Sequence, residues 1–136
     1  MIIADSGPVV ALLIPGDQYH APVSRYFANV NEPIWLPTVT LAEISHFLLA
    51  RSTPAVEARF LRSLVGFAIQ LIDPVEADYL RAADLVEQYA DFPLGTVDAV
   101  IVAIAERLDV ETLLTLDRRH FGAIRPAHRS SFEIAP

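Results

Sequence analysis

The segment that constrains the fold most is residues 96–108, TVDAVIVAIAERL. Between Val97 and Ala105 every residue but one is apolar, so a helix formed by this segment has almost no polar face. Such a helix must be buried on most of its sides. The single charge, Asp98, falls in its first turn. We therefore predict a buried helix over 96–108 with an acid at its beginning.

Short apolar segments with turn signals at their ends surround this helix and predict strands. The predicted strands cover residues 1–4, 34–36, 67–72, 113–116 and 132–134. Further helices are predicted over residues 17–29, 40–51, 54–65 and 73–89. Strands separated by one or two helices form a parallel sheet with helices on both faces. The expected fold class is therefore α/β.

Local sequence signals place several of these boundaries. Ser6-Gly7-Pro8 predicts a turn after the first strand. Thr53-Pro54 predicts a helix start with proline at the first helical position. Asp73-Pro74-Val75-Glu76 combines a cap, a proline and a glutamate at the third position, which predicts another start.

Length and composition indicate a domain with a large core. The chain has 136 residues, of which 53% are hydrophobic and 20% charged, so we expect one domain spanning residues 1–136. No apolar run is long enough to span a membrane, and the beginning of the chain lacks the basic region of a signal peptide, which predicts a cytoplasmic protein. Because the chain contains no cysteine, any metal must be held by oxygen or imidazole.

The charge distribution excludes some chemistries. All ten basic residues are arginine, which excludes Schiff-base and P-loop lysine chemistry, and the net charge is −7. An acidic surface repels polyanions at long range. Residues 118–136 are nevertheless rich in arginine and histidine, so one face could take a basic protein and another an anion. A solvated surface with accidental clustering explains the same pattern.

Four acids are placed where a strand ends or a helix begins. Asp5 follows the first strand and Asp117 the strand over 113–116, whereas Glu43 and Asp98 lie in the first turns of two helices. These positions can all lie at the carboxyl edge of a parallel sheet, where open α/β folds build their sites. Clustered carboxylates repel each other unless a hard cation binds them. The pattern predicts a site for Mg²⁺ or Mn²⁺.

Two of the acids have a strong structural explanation of their own. Asp5 precedes a turn signal, and an Asx-turn or a helix cap explains it as well as a role in a metal site does. Glu43 fits a capping box with Thr40, in which the glutamate reaches back to the backbone N–H of the cap.

The other two acids are explained less easily by local structure. The helix dipole stabilises an acid at the position of Asp98 by roughly 0.3–1 kcal/mol, which is less than its burial would cost without compensation. Asp117 could form a surface ion pair with Arg118 or Arg119, although exposed pairs contribute little.

Short motifs carry the four acids in order along the chain. They are IIADS at 2–6, TLAE at 40–43, PLGTVDA at 93–99 and LTLDRRHF at 114–121. With these motifs, the chain resembles PIN domains of the VapC toxin type over essentially its whole length. The resemblance implies a three-layer α/β/α sandwich around a central parallel sheet.

The resemblance also implies an activity, that of a Mg²⁺- or Mn²⁺-dependent endoribonuclease. Residues Asp5, Glu43, Asp98 and Asp117 correspond to the acidic quartet that holds the metal and carries out catalysis. Thr115 corresponds to a small polar position near the site, and Ser6 to a position that often bears a hydroxyl. We expect hydrolysis that leaves a 5′-phosphate and a 3′-hydroxyl.

Arg118 and Arg119, with His120 beside them, are predicted to guide the RNA backbone, because arginine pairs bidentately with phosphate. Surface ion pairs to Glu106 or Glu111 are the alternative for these arginines.

The resemblance implies two protein partners, a cognate VapB-type antitoxin and a second copy of the chain in a homodimer. Apolar side chains on the early helices could line an antitoxin groove or simply form core, namely Phe47, Leu48, Phe60 and Leu64. Two other functions stay open. One is an inactive PIN-like RNA-binding or scaffold domain, and the other is a carboxylate-metal phosphodiesterase acting on DNA.

Overall fold

The computed structural model describes residues 1–65 and 69–136, and in these residues five parallel strands form one sheet in the order β3-β2-β1-β4-β5. The strands are β1 (Ile2–Ala4), β2 (Ile34–Pro37), β3 (Ile69–Ile72), β4 (Thr112–Leu114) and β5 (Glu133–Ala135). Ile3 at the centre of the sheet pairs with Trp35 on one side and with Leu113 on the other. The parallel sheet expected from the sequence is therefore confirmed.

Seven α-helices connect these strands in the described part of the chain, and a short 3₁₀ turn over Thr38–Thr40 precedes the third. The helices are α1 (Ser6–Leu13), α2 (His20–Asn29), α3 (Leu41–Arg51), α4 (Pro54–Ser63), α5 (Glu76–Gln88), α6 (Thr96–Arg107) and α7 (Arg118–Ala123). None of these helices has the length and apolar character needed to cross a membrane.

Two hydrophobic cores lie on opposite faces of the sheet. Ile3 and Leu113 belong to a cluster formed with α5, α6 and α7, whereas Ile2, Ala4 and Leu114 belong to a second cluster with α1 to α4. This division follows from the strand geometry, because successive side chains of a strand point to opposite faces. The three-layer α/β/α sandwich is thereby confirmed.

Helix α6 is as deeply buried as its composition predicts. From Ala99 to Ala105 no side chain is more than 2% exposed. The helix ends at Arg107, one residue before the predicted end. The apolar surface of the helix is covered on all sides. Asp98, which directly precedes this buried stretch, is therefore brought partly inside the domain.

The predicted turn at Ser6-Gly7-Pro8 is wrong, because α1 begins at Ser6. Asp5 caps this helix, since its Oδ1 accepts a hydrogen bond of 2.6 Å from the backbone N–H of Ser6. A proline in the first turn of a helix removes no intrahelical hydrogen bond, so Pro8 is compatible with the helix. The chain therefore passes from strand to helix directly at Asp5.

Two other helix starts differ from the prediction. Helix α2 begins at His20 rather than near Asp17, whose Oδ1 instead accepts a hydrogen bond from the Tyr19 backbone at 2.9 Å. Helix α5 begins at Glu76, and Asp73 does not cap it. The cap is completed by Asp78, whose Oδ2 accepts from the Val75 backbone at 2.8 Å.

Strand boundaries shift by one or two residues. β4 ends at Leu114, before the predicted end at 116, and β5 begins one residue later than predicted. Positions 67 and 68 of the predicted third strand lie outside the described residues, and the described part of that strand begins at Ile69. Helix α4 begins at Pro54 as predicted and ends at Ser63. The short helix α7 was not predicted.

Candidate active site

The four predicted acids all lie at the carboxyl edge of the sheet. Asp5 follows β1 directly and caps α1, and Asp117 caps α7 after β4. Glu43 and Asp98 lie in the first turns of α3 and α6. Asp5 and Asp117 follow the parallel strands β1 and β4 and so lie at the same edge, and the charges of Asp5, Asp117 and Glu43 act on Asp98 at the start of α6. Residues far apart in sequence are brought together here.

Asp5 is held by three hydrogen-bond donors. Its Oδ2 accepts from Thr115 Oγ1 at 2.9 Å, and its Oδ1 accepts from the Ser6 backbone at 2.6 Å and from Ser6 Oγ at 3.4 Å. Burial nevertheless raises the pKa of Asp5, since the desolvation penalty outweighs these bonds and the Glu43 charge adds to it. Both carboxylate oxygens of Asp5 are therefore held in place.

Glu43 is linked to Asp5 through a serine hydroxyl. Ser6 Oγ donates a hydrogen bond of 2.9 Å to Glu43 Oε2. The predicted capping box is absent, because Thr40 Oγ1 donates instead to the Pro37 carbonyl at 2.8 Å and makes no cap bond. Glu43 therefore faces the other acids rather than its own helix start.

Asp98 has the most strongly perturbed pKa of the cluster. Burial in the first turn of α6 and, after it, the negative charges of Asp5, Asp117 and Glu43 in that order together raise this pKa to about 6. The His120 charge opposes this shift. The four acids therefore act on one another through a shared electrostatic field.

Asp117 pairs with a histidine and not with the arginines next to it. Its Oδ1 accepts from the His120 backbone at 2.9 Å, and its Oδ2 lies 2.7 Å from His120 Nδ1. Burial works to raise the pKa of Asp117, but the hydrogen bonds and charge of His120 outweigh it and lower the pKa. The predicted ion pair with Arg118 or Arg119 is wrong because one helical turn brings His120 to the cap instead.

Thr115 connects two of the acids from a fully buried position. The residue is 1% exposed. Its hydroxyl donates to Asp5 and accepts from the Asp117 backbone N–H at 3.0 Å. Together with Ser6, it forms a continuous hydrogen-bonded path from Glu43 through Asp5 to Asp117. Asp98 joins this path through electrostatic interaction.

The donor chemistry suits a hard divalent cation. Carboxylate oxygens are the ligands that Mg²⁺ and Mn²⁺ prefer, and the raised pKa of Asp98 shows negative charge that a cation would offset. Across residues 1–65 and 69–136, no three His, Asp or Glu side chains are grouped closely enough to hold a metal ion as they stand. The acids are thus coupled electrostatically and not gathered into a closed cage.

Arg118 and Arg119 begin α7 beside this cluster, and both are exposed. In the described part of the chain neither forms an ion pair with Glu106 or Glu111. The arginines that pair with these glutamates are Arg81 and Arg129. The alternative role weighed for Arg118 and Arg119 is therefore wrong.

Phe92 lies next to this group and was missed in the sequence. The centroid of its ring lies 4.9 Å from the centroid of the His120 ring and 5.4 Å from Arg119 Cζ. The available signal was an aromatic residue directly before the PLGTVDA motif. That signal is weak, because α7, which supplies both neighbours, was not predicted.

The apolar side chains of the early helices divide between core and surface. Leu48 and Phe60 are core, at 1% and 4% exposed, whereas Phe47 is 42% exposed. A cavity of about 140 Å³ lies between α3 and α4. It is lined by Leu41, Ser45, Leu48, Glu57, Phe60, Leu61 and Leu64.

Comparisons with known proteins agree with this architecture. Residues 2–125 match the PIN domain family. Ribonuclease VapC26 of Mycobacterium tuberculosis is 32% identical over 135 residues, which cover 99% of this chain and 100% of that protein.

Solved structures share the fold at low sequence identity. VapC20 of Mycobacterium tuberculosis, described as a toxin that cleaves the sarcin-ricin loop, superposes with a TM-score of 0.77 and 16% identity over 83% of this chain and 87% of that one. VapBC2 of Rickettsia felis, bound to a DNA fragment from its promoter, gives a TM-score of 0.71 and 17% identity over 100% of both chains. The chain therefore belongs to the PIN domain family, among its VapC-type members.

Proposed function

We propose that this chain is a Mg²⁺- or Mn²⁺-dependent endoribonuclease toxin that hydrolyses RNA phosphodiester bonds in the cytoplasm and is neutralised by a cognate antitoxin. The observation that carries the proposal is the set of four coupled acids at the carboxyl edge of the sheet. Burial and three neighbouring acids raise the pKa of Asp98 to about 6, which marks a site with excess negative charge. The similarity to a protein named a ribonuclease adds support.

In this proposal Asp5, Glu43, Asp98 and Asp117 hold the metal. A divalent cation would supply the positive charge that attracts the phosphodiester and would make water a stronger nucleophile. Ser6 and Thr115 keep the acids in place, since each donates a hydrogen bond to one of them. Their hydroxyls fix the directions in which the carboxylate oxygens point.

Substrate binding falls to the exposed arginines of α7. Arg118 and Arg119 begin α7 at the same edge as the acids. Arg118 donates one hydrogen bond to the Pro136 carbonyl and Arg119 lies over the Phe92 ring, which leaves each guanidinium further N–H donors for phosphate. The hydrolysis leaves a 5′-phosphate and a 3′-hydroxyl, without the RNA 2′-hydroxyl as nucleophile. Two charge-assisted contacts would align the backbone before cleavage.

The antitoxin and a homodimer complete the proposal. The fold matches a toxin-antitoxin complex from Klebsiella pneumoniae, with a TM-score of 0.71 and 18% identity over 91% of this chain and 92% of that one. A basic side chain of an antitoxin would suit the acidic pocket and compete there with metal. Exposed Phe47, four residues after Glu43 on α3, offers an apolar contact beside that pocket.

The decisive experiment incubates purified protein with RNA and with DNA, each in Mg²⁺, Mn²⁺ or EDTA. We expect cleavage of RNA with either metal, none in EDTA and little of DNA. Cleavage of DNA in preference to RNA would support the phosphodiesterase alternative. Binding of RNA with no cleavage in either metal would support the inactive RNA-binding domain.

Variants at the acids and a test for the partner complete the experiment. An Asp5→Asn protein that folds normally yet cleaves at the original rate would exclude the assigned site. For the antitoxin, co-expression with the product of an adjacent small open reading frame should yield a complex that no longer cleaves RNA, and separate elution of the two proteins would contradict that partner. Size-exclusion chromatography with light scattering tests the homodimer.

A further inference from the structure

The side chains of Arg119 and His120 both lie against the ring of Phe92 at the border of the acidic cluster. Arg119 Cζ is 5.4 Å from the centroid of the Phe92 ring, which is the geometry of a cation–π contact. The His120 ring is 4.9 Å away, with the two planes inclined by 45°. We call Phe92, Arg119 and His120 the Phe92 platform.

The loop that carries Phe92 is held in place from three directions. The Phe92 backbone N–H donates to the Tyr89 carbonyl at 3.0 Å, and Leu94 is buried at 5% exposed. The Tyr89 hydroxyl accepts from the Arg125 backbone at 2.9 Å, which ties the end of α5 to the segment after α7. The ring is therefore positioned before a ligand arrives, which lowers the entropy cost of binding.

The platform touches the acidic cluster directly. His120 Nδ1 lies 2.7 Å from Asp117 Oδ2, and the charge of His120 works to lower the pKa of Asp98. A group resting on Phe92 or Arg119 would thus lie one side chain away from the acids. Phe92 is only half-buried and Arg119 is exposed, so part of the platform faces solvent.

The combination of ring and guanidinium suits a flat aromatic ligand. Nucleobases stack on aromatic side chains and on arginine planes, and this contact is available only to bases that are not stacked within a duplex. Arg118, next to the platform, is exposed. One of its N–H groups donates to the Pro136 carbonyl, and the others can take the phosphate attached to such a base. A base and its phosphate would then be bound by neighbouring residues of α7.

We propose that the Phe92 platform stacks an unpaired nucleobase beside the phosphodiester to be cleaved and so positions the RNA at the acidic cluster. The inference rests on the proposed function, since it names a residue that holds the substrate of the same site. Phe92 is thus a positioning residue for substrate.

The test compares Phe92→Leu with Phe92→Trp on a single-stranded RNA oligonucleotide in Mg²⁺. Loss of a base–aromatic stack weakens binding roughly five- to a hundredfold, so we expect Phe92→Leu to lower kcat/KM by about tenfold, mainly through KM. Phe92→Trp should keep the wild-type value, because the ring is retained. Phe27→Leu is the matched control, since Phe27 is also half-buried but lies near the beginning of β2, away from the carboxyl edge.

An abasic substitution, moved one nucleotide at a time along the oligonucleotide, identifies the contacted base. At one position it should lower kcat/KM for the wild type and leave Phe92→Leu unchanged. Equal activity of wild type and Phe92→Leu on every substrate would overturn the platform. Equal losses in Phe92→Leu and Phe92→Trp would also overturn it, since a ring that supports only the fold explains that result.

Direct binding separates failure of the platform from failure of the proposed function. In an Asp5→Asn background, fluorescence anisotropy measures the Kd of the same oligonucleotide, and Phe92→Leu should raise that Kd about tenfold while Phe27→Leu does not. A wild type that binds RNA through Phe92 but never cleaves it would refute the nuclease function and support the platform. If the wild type cleaves RNA and Phe92→Leu changes neither cleavage nor binding, the nuclease function is supported and the platform is refuted.

Discussion

Ser6 Oγ donates a hydrogen bond of 2.9 Å to Glu43 Oε2 and joins two residues that are 37 positions apart in the sequence. The same hydroxyl lies 3.4 Å from Asp5 Oδ1. One serine in the first turn of α1 therefore contacts two of the four acids. It holds together two like charges that would otherwise move apart.

Replacing this serine should loosen the acidic cluster. Hydrogen bonds that orient metal ligands typically change metal affinity by about 10- to 100-fold, so we expect Ser6→Ala to weaken Mn²⁺ binding by roughly tenfold. Isothermal titration calorimetry measures the affinity directly. Ser45→Ala is the control and should leave Mn²⁺ affinity unchanged, because Ser45 is an exposed serine on α3, two residues after Glu43 and so on a different side of that helix.

Asp98→Asn should stabilise the protein in EDTA at neutral pH. An unfolded aspartate has a pKa of about 4, whereas the pKa of folded Asp98 is raised to about 6, so ionisation costs the folded state stability as pH rises through this range. Above this pH range, the loss in the free energy of unfolding is on the order of 1–3 kcal/mol. The asparagine removes that cost and should raise Tm by several degrees.

The pH dependence provides the check on this prediction. Well below about pH 4 the folded and unfolded states of the wild type are both protonated at Asp98, so the Tm difference between wild type and Asp98→Asn should shrink towards zero. Thermal unfolding followed by circular dichroism at acidic and neutral pH gives both values. Asp91→Asn, in an exposed loop, should shift Tm little at either pH. A Tm gain that persists unchanged at acidic pH would contradict the electrostatic explanation.

Metal should stabilise the protein more strongly at neutral than at acidic pH. A ligand that binds only the folded state stabilises it by about 2.7 kcal/mol at 100 times its Kd. Protons compete for Asp98, whose pKa is raised to about 6, so the Mn²⁺-dependent rise in Tm should shrink markedly below that pH. Differential scanning fluorimetry across pH, with and without EDTA, measures it. The Asp5→Asn variant should show little Mn²⁺-dependent rise at any pH.

Thr115→Val should destabilise the protein while changing its shape very little. The substitution leaves the partly buried Asp117 N–H without the acceptor that Thr115 provides and removes a donor from Asp5, at a cost of roughly 1–3 kcal/mol. Urea unfolding measures the free energy of unfolding. Thr112→Val, at the beginning of the strand that precedes Thr115, is the matched control, because its hydroxyl makes only an exposed contact of 3.3 Å with Glu133. Equal effects of the two substitutions would contradict the role given to Thr115.

An ion pair away from the site should matter for stability but not for cleavage. Arg107 Nε lies 2.9 Å from Oδ1 of Asp78, which is 2% exposed, so Arg107→Ala leaves a buried carboxylate without its partner. We expect a loss of about 2–4 kcal/mol in the free energy of unfolding. Arg129→Ala breaks pairs with exposed acids and should cost less than about 1 kcal/mol. Both variants should keep the wild-type cleavage rate at a temperature where they are folded.

Much of the fold could be predicted from local patterns. The buried helix over residues 96–107 and the order of strands and helices follow from apolar periodicity, because side-chain burial repeats with the geometry of each element. Boundaries were less predictable. Ser6 was interpreted as a turn residue and begins a helix, since the same residue types favour turns and helix caps for the same hydrogen-bonding reason.

The candidate site depended more heavily on contacts between distant residues. Glu43 had a sufficient local explanation in Thr40, and only the position of Ser6 across the sheet edge shows that its carboxylate is directed elsewhere. Likewise, the pairing of Asp117 with His120 requires α7, a helix too short to leave a clear periodic pattern.

The sequence by itself determined the parallel α/β architecture and the placement of four acids at element ends, because both follow from spacing along the chain. The tertiary structure decided which hydroxyls join those acids, how far the pKa of Asp98 rises and which aromatic ring lies beside them. These properties depend on distance and burial between residues remote in sequence. Desolvation and Coulomb interaction act through space, so no local pattern encodes them.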